Sequence, residues 1–287
     1  SGAPRHRSRP ERNSGSEPRY FSDMTIDHDG PMNNRKRYAL VGCEVLYREF
    51  CLGALRSEAT IDFALLPQGL HATPGELSIR VQQEIDRLES EETLKAAAGK
   101  GSFMQAGYDS ILIGLGLCSN GVAGVTARRT PLVIPRGHDC ITLLLGSVAA
   151  YKEYFEKYSG TYWYSSGWIE RTVVPGPDRR EAVMKFYAGK YSEEKARILA
   201  DAEMEQYAGY KYAGYINWNH ATAARDREYT KQCAEFMGWE YIEVDGDPAM
   251  MIDFLGGNWD EERFLTVKPG QSIEPSHDDC ILKICSG

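Results

Sequence analysis

Two hydrophobic signatures take turns along the 287-residue chain. One is a short unbroken apolar run that closes on Gly or a polar residue. The other is a longer stretch with apolar residues three or four apart. The first signature predicts buried parallel strands at Tyr38–Gly42, Ile61–Leu66, Ser110–Gly114 and Leu132–Ile134. The second predicts a helix over Glu44–Ser57 and another from Thr73-Pro74 through Ile79, Val81, Ile85 and Leu88, with Thr73 as cap, Pro74 in the first turn and Glu76 after it. A third helix is expected to open at Asp139. The segment Thr161–Glu170, crowded with aromatics, reads as a strand or a lid. Beyond it come a charged helix over 192–207, strand Tyr212–Trp218, helix Ala221–Met237, strand Tyr241–Val244, helix Pro248–Leu255 and strand Phe264–Val267. Alternation of this kind predicts an α/β fold with mostly parallel sheets. We expect two doubly wound, Rossmann-like or flavodoxin-like lobes, 37–160 and 161–287, with a cleft between them. Residues 1–36, rich in Arg, Ser, Pro and Gly and poor in aliphatics, are expected to be a disordered tail.

Composition narrows the function classes. A net charge of −8 argues against a nucleic-acid binder, which needs a concentrated basic surface. No apolar stretch approaches the roughly 20 residues that span a bilayer. Seven cysteines without paired spacing suit reduced thiols in a cytoplasm better than a disulfide framework.

The candidate chemistry sits at strand ends. Cys43 closes the first strand, Cys118 follows the third, and His138 and Cys140 follow the fourth. Ligands of open α/β sheets bind at that edge. Three thiols and an imidazole are the donors of a tetrahedral zinc site, which needs the sulfurs of Cys43, Cys118 and Cys140 within a few ångströms of one point. An iron–sulfur cluster on the same thiols is the competing reading. Thiols that merely fill space at a sheet edge are the plainest one. His138 is a fourth ligand or an acid/base group. Glu44 is a helix-start residue or a general base, and Asp139 a helix cap. The glycine-rich loop Gly114–Gly121, including Asn120, lacks the dinucleotide fingerprint but can cradle an anion. Arg128, Arg129 and Arg136 are candidates to hold a carboxylate or phosphate, and Trp163, with Tyr162, Tyr164 and Trp168, to wall a small-molecule substrate, core packing being the commoner use of such aromatics. His71, His220 and Cys233 are read as structural, while Cys280 and Cys285 read as part of a short strand and a mobile tail and are given no role.

Five motifs in order, Cys43-Glu-Val-Leu-Tyr-Arg48-Glu, Leu66-Pro-Gln-Gly-Leu-His71, Gly116-Leu-Cys118-Ser-Asn-Gly121, Pro135-Arg-Gly-His138-Asp-Cys140 and Gly160-Thr-Tyr-Trp-Tyr-Ser-Ser-Gly-Trp168, resemble the domain of unknown function 1638 family. The resemblance runs from Tyr38 to about Gln271. It implies a place beside corrinoid-dependent methyltransferases, in methyl-group or methylamine metabolism. The corrinoid is then met only through a partner, either a corrinoid protein or its methyltransferase. The chain is accordingly expected to be a metal-dependent enzyme, or a non-catalytic accessory that binds such a partner or delivers its metal. His138, Cys140 and Cys118 are also similar to the His-x-Cys plus distant Cys of zinc enzymes that methylate thiols. The likeness concerns the site alone, since no eightfold repeat is present.

Overall fold

The computed structural model describes residues 35–90, Thr93 and 107–286. Most of the expected tail, residues 1–34, lies outside them. The first lobe is a five-stranded sheet in the order β2-β1-β3-β4-β8, formed by β1 (Arg37–Cys43), β2 (Thr60–Leu66), β3 (Ser110–Gly114), β4 (Leu132–Pro135) and β8 (Phe264–Val267). The first four strands run parallel and β8 pairs antiparallel with β4. Strands β1, β3 and β4 are buried at every position, which is why they read as continuous apolar runs and show no alternation. The chain leaves β1 in one direction to reach β2 and returns on the other side as β3. The strand order therefore reverses between β1 and β3, and the C-terminal ends of those two strands flank the crevice where such sheets bind ligands.

Around this sheet lie α1 (Tyr47–Ala54), α2 (Pro74–Leu88), α3 (Cys140–Leu145) and α4 (Val148–Lys157). Pro74 stands in the first turn of α2 as expected. Thr73 makes no side-chain bond to a backbone amide there; its hydroxyl meets the Glu76 carboxylate at 3.1 Å. The expected helix from Glu44 begins as a 3-10 turn over Glu44–Leu46 before α1.

The second sheet has three parallel strands, β5 (Thr161–Tyr164), β6 (Tyr212–Asn217) and β7 (Glu240–Asp245), in that order. It carries α5 (Ser166–Arg171), α6 (Pro177–Ala188), α7 (Glu193–Met204) and α8 (Ala223–Met237). Its strand order runs one way only, so this half is not doubly wound. The division expected at residue 160 also shifts. Helix α9 (Ala249–Gly256), β8 and the antiparallel hairpin of β9 (Gln271–Pro275) with β10 (Leu282–Ser286) return to the first lobe. Met250, Phe254, Leu255, Phe264 and Ile273 all enter its core. A smaller core of Tyr164, Val174, Ala213, Tyr215, Cys233 and Ala234 serves the second sheet.

The C-terminal edges of the two sheets face each other. The Leu144 carbonyl at the end of α3 accepts from Trp218 Nε1 at 2.9 Å and from the Asp247 amide at 3.2 Å, so the loops after β6 and β7 close on α3. His220, after β6, reaches Glu49 on α1 at 2.9 Å. At Gly167 in α5, a Cβ would lie 1.8 Å from the Val45 carbonyl oxygen, so only glycine lets α5 sit on the turn that follows β1.

Candidate functional site: a thiol cluster at the strand switch point

Cys43 is the last residue of β1 and is fully buried. Beyond β3, the Leu117 amide donates to the Gly137 carbonyl and the Cys118 amide to that of His138, both at 2.8 Å. These bonds prolong the strand pairing past the sheet and set Cys118 beside His138-Asp139-Cys140. Gly116 makes the approach possible, since a Cβ there would lie 2.6–2.8 Å from the Asp139 backbone. Asp139 caps α3, its Oδ1 accepting from the Ile141 amide at 2.9 Å, and this places Cys140 in the first turn.

The backbone then does something unusual. Cys118, Ser119 and Asn120 have φ of 48°, 56° and 71°, three consecutive non-glycine residues in the left-handed region. The Gly121 amide closes the turn on the Cys118 carbonyl at 3.0 Å. Each such residue costs about 1–2 kcal/mol, and strain of this kind collects at functional sites.

Beside the turn lies a cavity of about 420 Å³ lined by His71, Leu117, Cys118, Ser119, His138, Asp139, Cys140, Ile141 and Trp168. A second, smaller chamber of about 40 Å³ shares Cys140, Ile141 and Trp168 with it and is otherwise lined by Leu144, Trp163, Tyr164, Ser165 and Ile216. Tyr151 donates to Asp139 Oδ2 at 3.3 Å, and its ring lies 6.4 Å from that of His138.

Burial pushes the Cys43 thiol up to about 11 and the Cys118 thiol up to about 12; at Cys118 the charges of Asp139 and Cys43 add to it. Burial, then Asp139, then the other two sulfurs hold Cys140 well above the ordinary range. The three thiols are thus electrostatic neighbours, and without a bound cation burial favours the protonated form of each. Burial also raises Asp139 and lowers His71. Among the described residues, no group of three or more His, Cys, Asp or Glu side chains stands in the arrangement of a metal site. The expected meeting of the sulfurs at one point is therefore not found among the described residues. None of the seven cysteines is in a disulfide.

A pH dependence follows. The folded-state values of Cys43 and Cys118 lie above an unfolded value near 9, so their contribution is complete below about pH 9. It falls as the pH rises toward 11–12, because the unfolded chain ionises first. At roughly 1.4 kcal/mol per unit, denaturation across that window should show a loss on the order of 3 kcal/mol per thiol, discounted for imperfect burial. The chain carrying Cys43→Ala and Cys118→Ala should show a flatter profile. Identical profiles would contradict the assignment.

The other expected site residues are placed elsewhere. Arg128 pairs with Asp86 of α2 at 3.0 Å. The Arg129 and Thr130 amides donate to the buried Glu89 carboxylate. Arg136 clamps the carboxyl-terminal hairpin through the carbonyls of Glu261, Cys280 and Leu282. No arginine is among the residues lining the cavity. The expected general base Glu44 instead ties two loops, accepting from the Gln68 amide at 3.0 Å and facing Arg171 at 3.9 Å. Asn120 is exposed on the strained turn, and Trp163 lines the smaller chamber. His71, expected to be structural, also lines the cavity; like the cysteines it follows a strand, β2. Trp168, one of the aromatics expected to wall a ligand, lines both chambers, and its Nε1 donates to Tyr162 at 3.2 Å, which fixes the ring between them.

The family model described as "Protein of unknown function (DUF1638)" matches residues 65–255. The chain belongs to the DUF1638 family. Neither the curated proteins nor the solved structures yield a match. The DUF1638 match spans Cys118, His138, Cys140 and Trp168, while Cys43 and β1 precede it. Among the described residues, no helix is long and apolar enough to cross a membrane.

Proposed function

We propose that this DUF1638 protein is a metal-dependent enzyme acting on a small molecule, with Cys43, Cys118 and Cys140 as ligands and His138 as fourth ligand or proton carrier. One observation carries the reading: the fold delivers three neighbouring thiols to the strand switch point, one of them on a strained left-handed turn. A soft cation is the agent that turns buried neutral thiols into thiolates, because it takes the place of the departing protons. Zinc with an open position suits three thiolates and a neighbouring imidazole; an iron–sulfur cluster with one open iron is the alternative. Sharing one ion would require the three sulfurs to move closer together than they now stand.

The chain's own groups divide the remaining work. His138 and His71 stand at the cavity to accept or return protons, and the Tyr151–Asp139 pair steadies the first turn of α3. Trp168 walls the site from water. The corrinoid-linked methyl metabolism implied by the resemblance, in the cytoplasm, is the setting of this proposal. A concave cavity beside the thiols favours catalysis over an accessory that would dock on a methyltransferase through a broad apolar patch.

Protein purified without air should carry zinc or iron in fixed ratio to the chain, and a chelator should remove it with a fall in thermal midpoint. Metal-free protein that takes up neither ion on addition overturns the proposal.

A further inference from the structure

The smaller chamber says something about the ligand that the thiols do not. It shares Cys140, Ile141 and Trp168 with the main cavity, and Leu144, Trp163 and Ile216 from the facing edges of the two lobes line the rest. Three polar groups at its wall are already engaged. Ser165 Oγ accepts from the Trp168 amide at 3.2 Å, Trp168 Nε1 donates to Tyr162, and Tyr164 donates to the Pro175 carbonyl at 2.7 Å. The rest of the wall is mostly apolar side chain and holds no charged residue, so a charged group entering it would lose its water without a charged partner, at a cost of several kcal/mol. A volume of about 40 Å³ has room for about two or three non-hydrogen atoms.

We infer that the ligand of this site carries, next to the group that meets the thiols, a compact apolar arm of about two or three non-hydrogen atoms, and that Ile216, Trp163 and Trp168 select it by size. The inference rests on the proposed site but not on the metal. Cys140 lines both chambers, whereas Cys118 lines only the larger one. The two thiols therefore provide a measurement and its internal reference.

The experiment treats the metal-free chain with methyl, ethyl and benzyl methanethiosulfonate. Each reagent transfers its R–S group to a cysteine sulfur as the thiol proton and methanesulfinate leave. Modification of Cys140 and Cys118 is followed separately by peptide mass spectrometry. At Cys140 the methyl and ethyl reagents should react at least about tenfold faster than benzyl, beyond any preference at Cys118. Ile216→Phe, which fills the chamber, should slow ethyl toward benzyl. Trp163→Leu, which enlarges it, should speed benzyl. The same size dependence at both cysteines, or no response to either substitution, overturns the inference. A chain that binds no metal yet shows the size selection at Cys140 would sink the metal proposal and leave the arm in place.

Discussion

His220→Ala is expected to destabilise the fold by about 3–5 kcal/mol. His220 Nε2 donates to Glu49 Oε1 at 2.9 Å, and Glu49 is 1% exposed. The second oxygen, Glu49 Oε2, is buried and has no hydrogen-bond partner. Removing the imidazole leaves a buried carboxylate with neither oxygen satisfied, and this penalty exceeds anything the pair contributes when intact. Since Glu49 belongs to α1 and His220 to the loop after β6, the loss also loosens the facing of the two lobes. Urea denaturation of His220→Ala should show the fall, and the double replacement Glu49→Leu with His220→Leu should recover most of it. A single variant within about 0.5 kcal/mol of the parent would show that the pair is not buried as described.

Gly167→Ala is the second large effect, expected at about 3 kcal/mol because the clash is with backbone. The added methyl would lie 1.8 Å from the Val45 carbonyl oxygen, and neither the turn after β1 nor α5 has a flexible side chain to move aside. Helix α5 must withdraw, and Trp168, one residue later, goes with it. The measurable consequences are a lower denaturation midpoint and a change in tryptophan emission. A variant as stable as the parent, with unchanged emission, would place α5 further from Val45.

The buried strands were legible because a strand covered on both faces needs no alternation. β1, β3 and β4 stand where their apolar runs predicted, and β8 matches its run end to end. The destination of the carboxyl-terminal elements was hidden. Helix α9 and β8 look like a continuation of the second α/β run, and only tertiary pairing with β4 assigns them to the first lobe. The three cysteines were readable as strand-end residues, and Cys233 as a packed mid-helix thiol. The fate of Arg136 was not, because a guanidinium near a candidate site in sequence can as well clamp three remote carbonyls. The left-handed turn at Cys118-Ser119-Asn120 gave little warning. Asn tolerates that conformation, but Cys and Ser do not advertise it.

The most direct test of the thiol site is a cobalt(II) titration under exclusion of air, following the thiolate-to-cobalt charge-transfer absorption. It compares the parent chain with Cys43→Ser, Cys118→Ser and Cys140→Ser. A single site shared by the three sulfurs predicts a band that saturates in fixed ratio to the parent chain and weakens or vanishes with each substitution, while Cys233→Ser leaves it intact. No band in the parent, or a band that survives replacement of all three, would contradict it.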